Sequence, residues 1–155
     1  MAGRLETILL VEDDPAQAEL ISLHLELGNL PQQIVHVPDG REALEFLERQ
    51  GRYRDRQAGS VLVLLDLKLP CVDGLELLRQ IKSQPKTRQT PVVVFTAEDN
   101  PRVIQECYEL GCSLYVPKPF LLEEFLNTIE RLAGMIQAAA VPPEPASAGP
   151  PSFSI

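Results

Sequence analysis

Only three cysteines occur in the 155 residues, at positions 71, 107 and 112, and no two of them have C-x-x-C spacing. The chain has two histidines, His24 and His36, and they do not cluster with the thiols, so a structural zinc site is not expected. An odd, scattered set of cysteines fits reduced thiols better than a disulfide framework. Basic charge is scarce as well. Fourteen Lys and Arg against 22 Asp and Glu give a formal net charge of −8. That argues against binding nucleic acid or an anionic membrane through a broad basic surface. No apolar run approaches the ~20 residues of a membrane-spanning helix. The opening Met1-Ala2-Gly3-Arg4-Leu5 lacks the apolar region and cleavage site of a secretory signal, so a cytoplasmic location is expected. The pattern GxxxxGK[ST] is also missing, which excludes a P-loop NTPase.

An apolar fraction of 45% in a chain of this length is enough for one domain with an ordinary core. Five short apolar runs, Thr7–Val11, Gln33–Val37, Val61–Leu65, 92–95 and 113–117, alternate with five helix-like stretches. The first, third and fourth runs are almost wholly apolar, as strands covered on both faces are. The second and fifth are more mixed and suit positions nearer a sheet edge. Asp14-Pro15 and Asn100-Pro101 each put a capping acceptor before a proline that can start a helix. The segments Asp39-Gly40-Arg41-Glu42 and Asp73-Gly74-Leu75-Glu76 have the pattern of capping boxes. Leu122, Phe125, Leu126, Ile129 and Leu132 form one apolar face of a last helix.

Strands alternating with helices predict an α/β fold: a flavodoxin-like, doubly wound (βα)5 domain with a five-stranded parallel sheet in the order 2-1-3-4-5. The domain is expected to span residues 1–137. Residues 49–60 form a long, polar, Arg-rich connection. Residues 138–155 hold five of the 14 prolines and are expected to be a disordered tail.

Open parallel sheets bind ligands beyond the carboxyl ends of their strands, where the strand order reverses. For this order that point lies between strands 1 and 3. Strand 1 runs into Glu12-Asp13-Asp14, strand 3 into Asp66, strand 4 into Thr96 and strand 5 into Lys118. Glu12, Asp13 and Asp66 meeting in one crevice would repel one another, and Mg²⁺ is the natural remedy, since it favours oxygen ligands and keeps several waters. Asp66 then becomes a candidate nucleophile toward phosphorus, with Mg²⁺ and the Lys118 ammonium stabilising the equatorial oxygens of the transferring group. Asp14 and Asp73 read as helix caps rather than ligands. His24 and His36 read as structural and as lying away from the crevice.

The segments Ile8-Leu9-Leu10-Val11-Glu12-Asp13-Asp14, Leu64-Leu65-Asp66-Leu67-Lys68-Leu69-Pro70, Thr96-Ala97-Glu98 and Lys118-Pro119-Phe120 resemble, in order, the four signature segments of bacterial response-regulator receiver domains of the CheY-like kind. The resemblance spans residues 7 to about 135. It implies that Asp66 is the phospho-acceptor and that Asp13 and Asp66 ligate Mg²⁺, with Glu12 acting through water and Lys68 through its backbone carbonyl. It also implies that Thr96 and Lys118 contact the phosphoryl oxygens, and that Tyr115 is the aromatic switch residue coupled to Thr96. A cis bond between Lys118 and Pro119 is expected on the same ground. Lys68 and Glu98, each two residues past a site residue, are candidates for an ion pair over the phosphoryl group.

The implied activity is acceptance of a phosphoryl group from a sensor histidine kinase, followed by a signal carried by change of shape, with no attached output domain. Any catalysis is limited to self-phosphorylation from a phosphodonor and slow self-dephosphorylation. The loop at residues 51–55 and the segment after Asp66 resemble single-domain regulators paired with bacterial phytochromes. A homodimer through helix 4, strand 5 and helix 5 is expected, because Ala133, Met135 and Ile136 extend the apolar end of helix 5. One alternative is a haloacid-dehalogenase-like phosphatase, but that chemistry needs a second Asp where Lys68 stands. An FMN-binding module lacks its phosphate loop here. A pseudo-receiver that takes no phosphate is the remaining alternative, opposed by the full set of site residues.

Overall fold

The computed structural model describes residues 5–28 and 33–146. Five parallel strands, β1 (Thr7–Val11), β2 (Gln33–Val37), β3 (Val61–Leu65), β4 (Val92–Thr96) and β5 (Leu114–Pro117), form one sheet in the order 2-1-3-4-5, as expected. The helices are α1 (Pro15–Leu27), α2 (Gly40–Glu48), α3 (Gly74–Ser83), α4 (Pro101–Leu110) and α5 (Leu122–Ala138). Against expectation, Thr96 is the last residue of β4 rather than the first beyond it, and β5 starts one residue later.

Every residue of β1, β3 and β4 is buried, while β2 and β5 are partly open at the edges. Side chains alternate across the sheet. Leu9, Val11, Val63 and Leu65 pack with α2, α3 and α4, while Ile8, Leu10, Leu62 and Leu64 pack with α1 and α5. Apolar strands thus serve two cores at once, which is why their runs are continuous rather than alternating.

The helices start where the caps predict. Asp14, Asp39, Asp73 and Asn100 each accept a hydrogen bond from a backbone N–H of the first turn that follows. The capping boxes are only half formed, because the acidic partners turn outward to arginines, Glu42 to Arg52 and Glu76 to Arg79. A guanidinium within reach offers a bond in which both partners are charged, whereas the backbone N–H is neutral.

The expectation of a disordered tail from residue 138 does not hold for residues 138–146. Helix α5 runs to Ala138, and Val141, 1% exposed, packs in the α1–α5 core beside Ile136. Glu144 then pairs in bidentate fashion with Arg56, both bonds 2.8 Å, and accepts the Gly59 N–H at 3.1 Å. Its own N–H donates to Gly59 O at 2.9 Å, and the Arg49 guanidinium reaches Pro145 O at 2.7 Å. Arg56 also lies 4.0 Å over the Phe46 ring. The Arg-rich connection is therefore the anchor of a strap. Composition missed it because one valine and one charged pair, not average hydropathy, hold the segment. Residues 147–155 lie outside the described residues.

The Arg56 and Glu144 side chains are 15% and 4% exposed, so removing one leaves the other's charge with little water. Glu144→Ala should lower the unfolding free energy by about 3 kcal/mol, and Arg56→Ala plus Glu144→Ala should cost less than the sum of the singles. Urea unfolding of the four proteins measures this. Additive losses would show that the pair is not coupled.

Candidate functional site

The sheet ladder extends past its strands and places the site. Asp66 N–H donates to Val11 O at 3.0 Å and Glu12 N–H to Val37 O at 3.1 Å, which sets both carboxylates beside the end of β1. Lys118 N–H donates to Thr96 O at 2.6 Å, bringing the lysine to the end of β4. Gly74 fixes the loop after Asp66. A Cβ there would stand 2.4 Å from Leu67 Cα and 2.7 Å from Asp66 O, so only glycine lets α3 start this close to the loop after Asp66.

Asp66 is 7% exposed, with partners on both carboxylate oxygens. Its Oδ1 accepts the Thr96 hydroxyl at 2.7 Å and the Lys68 N–H at 3.2 Å. Its Oδ2 accepts the Lys118 ammonium at 2.9 Å. Glu12, 1% exposed, accepts Lys118 at 2.5 Å on Oε1 and the Asp14 N–H at 3.1 Å on Oε2. Burial pushes the Glu12 carboxyl above its ordinary range, and the Lys118 ammonium acts against that rise. Asp13 is exposed at the mouth of the crevice.

Oxygens of Glu12, Asp13 and Asp66 lie within 4.8 Å of one another. With all three ionised and one ammonium present, the site carries a net charge of −2, which one divalent ion balances. The ligand atoms are all oxygens, and Asp13 opens to solvent, leaving room for the waters that Mg²⁺ retains. The residues fit such an ion.

Thr96 is fully buried. Tyr115, 7% exposed, is turned inward and its hydroxyl donates to Glu98 O at 2.5 Å. Burial raises the Tyr115 phenol above its usual range. The Tyr115 N–H donates to the hydroxyl of Tyr108 on α4 at 3.0 Å, so the two tyrosines tie α4 to β5.

Three expectations fail at the site. The Lys118–Pro119 bond is trans, the form an X–Pro bond adopts by default. Among the described residues no ion pair joins Lys68 to Glu98. Lys68 is exposed, where an ion pair offers little gain for ordering two side chains. His36 does not stand apart from the crevice, since its Nε2 lies 2.7 Å from the backbone carbonyl of Glu12. His24 does lie away, bonded to Leu20 O. Sequence reading also missed Gln17, whose Oε1 accepts Lys118 at 2.6 Å. Its place one turn past the Asp14 cap, on the face of α1 toward the carboxyl ends of the strands, is the signal that could have found it. Asp14 and Asp73 cap their helices as expected.

The family model described as response regulator receiver domain matches residues 8–130. Response regulator Rcp1 of Synechocystis sp. is 34% identical over 125 residues, covering 81% of this chain and 84% of that protein. The crystal structure of the Mn²⁺-bound form of Rcp1 superposes with a TM-score of 0.81 at 31% identity, covering 88% of this chain and 99% of that one. The phosphorylated cyanobacterial phytochrome response regulator RcpA gives a TM-score of 0.81 at 34% identity, with 89% and 99% covered. The bacteriophytochrome response regulator RtBRR gives 0.71 at 39% identity, with 87% and 79% covered.

Because the net charge of the crevice favours a divalent ion, millimolar Mg²⁺ should raise the melting temperature of the wild type. The gain is about 2.7 kcal/mol when the ion is at a hundred times its dissociation constant. Asp13→Asn should lose most of that gain. Equal Mg²⁺-dependent shifts in both proteins, read by thermal denaturation, would place the ion elsewhere.

Proposed function

Because this chain belongs to the response-regulator receiver family, we propose that it works as a phosphorylation switch, taking a phosphoryl group onto Asp66 and signalling by change of shape. The observation that carries this reading is the set of partners around one carboxylate. Thr96 and Lys118 hold its two oxygens, and Glu12 and Asp13 stand close enough to share a cation with it.

In the proposed step one Asp66 oxygen attacks phosphorus. A new O–P bond forms while the bond from phosphorus to the donor breaks, and its electron pair leaves with the donor, the imidazole of a phosphohistidine or the acetate of acetyl phosphate. A carboxylate nucleophile has no proton to lose, so no general base is needed. Lys118 and the Thr96 hydroxyl, one on each Asp66 oxygen, would meet two phosphoryl oxygens. Asp13 and Asp66 would ligate Mg²⁺ directly, Glu12 through water and Lys68 through its carbonyl oxygen. The ion would neutralise charge that develops on the phosphoryl oxygens. As Thr96 turns to the phosphoryl group, Tyr115 and its link to Tyr108 carry the change to α4. A phosphatase acting on outside substrates needs a second acid where Lys68 stands, and that residue type cannot serve.

The proposed donor is a sensor histidine kinase, of the phytochrome kind given the likeness to RcpA and RtBRR. The net charge of −8 supports protein partners over nucleic acid, and three cysteines without a disulfide among them support a cytoplasmic location. No helix among the described residues is long and apolar enough to cross a membrane. The proposed output is a homodimer through α4, β5 and α5. Of the residues that suggested it, Ala133 and Ile136 do not support it, since both are buried against their own chain, whereas Met135 is exposed on α5. The support comes instead from Tyr108, 47% exposed on α4, and the half-open Leu114 and Val116 of β5.

Incubation with acetyl phosphate and Mg²⁺ should add the mass of one phosphoryl group to the wild type and none to Asp66→Asn, read by intact mass spectrometry. Label on the Asp66→Asn variant would overturn the assignment. Sedimentation equilibrium should show a dimer that strengthens with beryllofluoride and weakens in Tyr108→Ala. A monomer mass at every concentration, with and without the mimic, would remove the dimer.

A further inference from the structure

An ammonium group has three N–H donors, and Lys118 uses all three. They go to Glu12 Oε1 at 2.5 Å, Gln17 Oε1 at 2.6 Å and Asp66 Oδ2 at 2.9 Å, with the lysine side chain only 6% exposed. Two of these acceptors are carboxylates whose oxygens also face the place a divalent ion would take. The third is a neutral amide on another element. The backbone of Gln17 is fixed by its own N–H, which donates to the Asp14 cap at 3.3 Å.

The three partners differ in what the chemistry does to them. An oxygen of Asp66 given to phosphorus, or of Glu12 turned toward a cation, becomes a weaker acceptor for Lys118. The Gln17 amide oxygen keeps its full acceptor strength throughout. Being uncharged, it also leaves the charge of the ammonium free to act on phosphoryl oxygens, as a carboxylate would not.

We propose that Gln17 is a positioning residue that anchors the Lys118 ammonium at the rim of the crevice while Asp66 passes from free carboxylate to acyl phosphate. The inference rests on the phospho-acceptor reading of Asp66. It adds a residue of α1 to a site otherwise built from strand ends. Without that anchor a four-carbon stem swings, and the ammonium meets the phosphoryl group less often in the productive geometry.

The test uses the full chain with Gln17→Met, which keeps length and loses the oxygen, and Gln17→Glu, which keeps an acceptor at the same reach. Phosphorylation is followed by intact mass over a series of acetyl phosphate concentrations at fixed Mg²⁺. In parallel the ¹⁵N-lysine ammonium resonances are recorded, with Lys118 assigned through Lys118→Arg. Gln17→Met should lower the maximal rate about fivefold, with the half-saturating donor concentration unchanged, because placement and not donor binding is lost. The Lys118 ammonium signal should move or broaden in Gln17→Met and persist in Gln17→Glu.

A Gln17→Met protein with wild-type rate, or with an unmoved ammonium signal, overturns the proposal, as does loss of that signal in Gln17→Glu. Gln17 is half-exposed in the first turn of α1, and Gln17→Ala read the same way replaces Gln17→Met if the latter does not fold. A wild type that takes no phosphoryl group refutes the phospho-acceptor reading instead, and the ammonium signal still decides whether Gln17 holds Lys118.

Discussion

Three carboxylates and one ammonium share the crevice at the end of β1 and β3, and that imbalance of charge organises the site. At a separation of 4.8 Å, two like charges repel by roughly 3 kcal/mol for an effective dielectric of 20. Lys118 relieves part of this by bonding both Glu12 and Asp66, which stand buried side by side. The same bonds hold the lysine ammonium at the mouth of the crevice, beside the Asp66 carboxylate. Charge that costs stability in the resting protein is what makes the crevice receptive to a cation and then to phosphate.

The sheet makes that concentration of charge tolerable. Two cores, one on each face, hold five strands whose ends cannot drift apart, and the bonds from Asp66 to Val11 and from Lys118 to Thr96 extend the ladder into the loops. The Thr96 hydroxyl is locked on Asp66, and Tyr115 and Tyr108 continue the chain of contacts to α4. A continuous set of contacts thus joins Asp66 to the surface of α4. At the opposite end of the sheet the strap from α5 binds the residues before β3 and so ties the α2–β3 connection to the segment after the C-terminal helix.

Much of this was legible in the residues. Continuous apolar runs in β1, β3 and β4 reflect burial on two faces, and the Asp-Pro and Asn-Pro pairs mark helix starts, because both effects are local. The candidate site was legible for a related reason. In an open parallel sheet ligands bind beyond the carboxyl ends of the strands, so Glu12, Asp13, Asp66, Thr96 and Lys118 follow as candidates from the strand boundaries and the strand order. Gln17, His36 and Glu144 were not legible in this way. Each is a polar residue on an amphipathic or proline-rich segment, where its type alone suggests solvent.

The amino-acid sequence by itself determined the alternation of strands and helices, the sheet order, and which carboxylates and which lysine would meet. These depend on periodicity and on the rule for connecting parallel strands. Only the tertiary structure decided that Lys118 divides its three hydrogen bonds among β1, α1 and β3, that His36 touches the carbonyl of Glu12, and that Glu144 closes on Arg56. The physical reason is that a hydrogen bond between residues 24 to 106 positions apart is set by angstrom-scale placement of two elements. No local pattern in either segment encodes that distance.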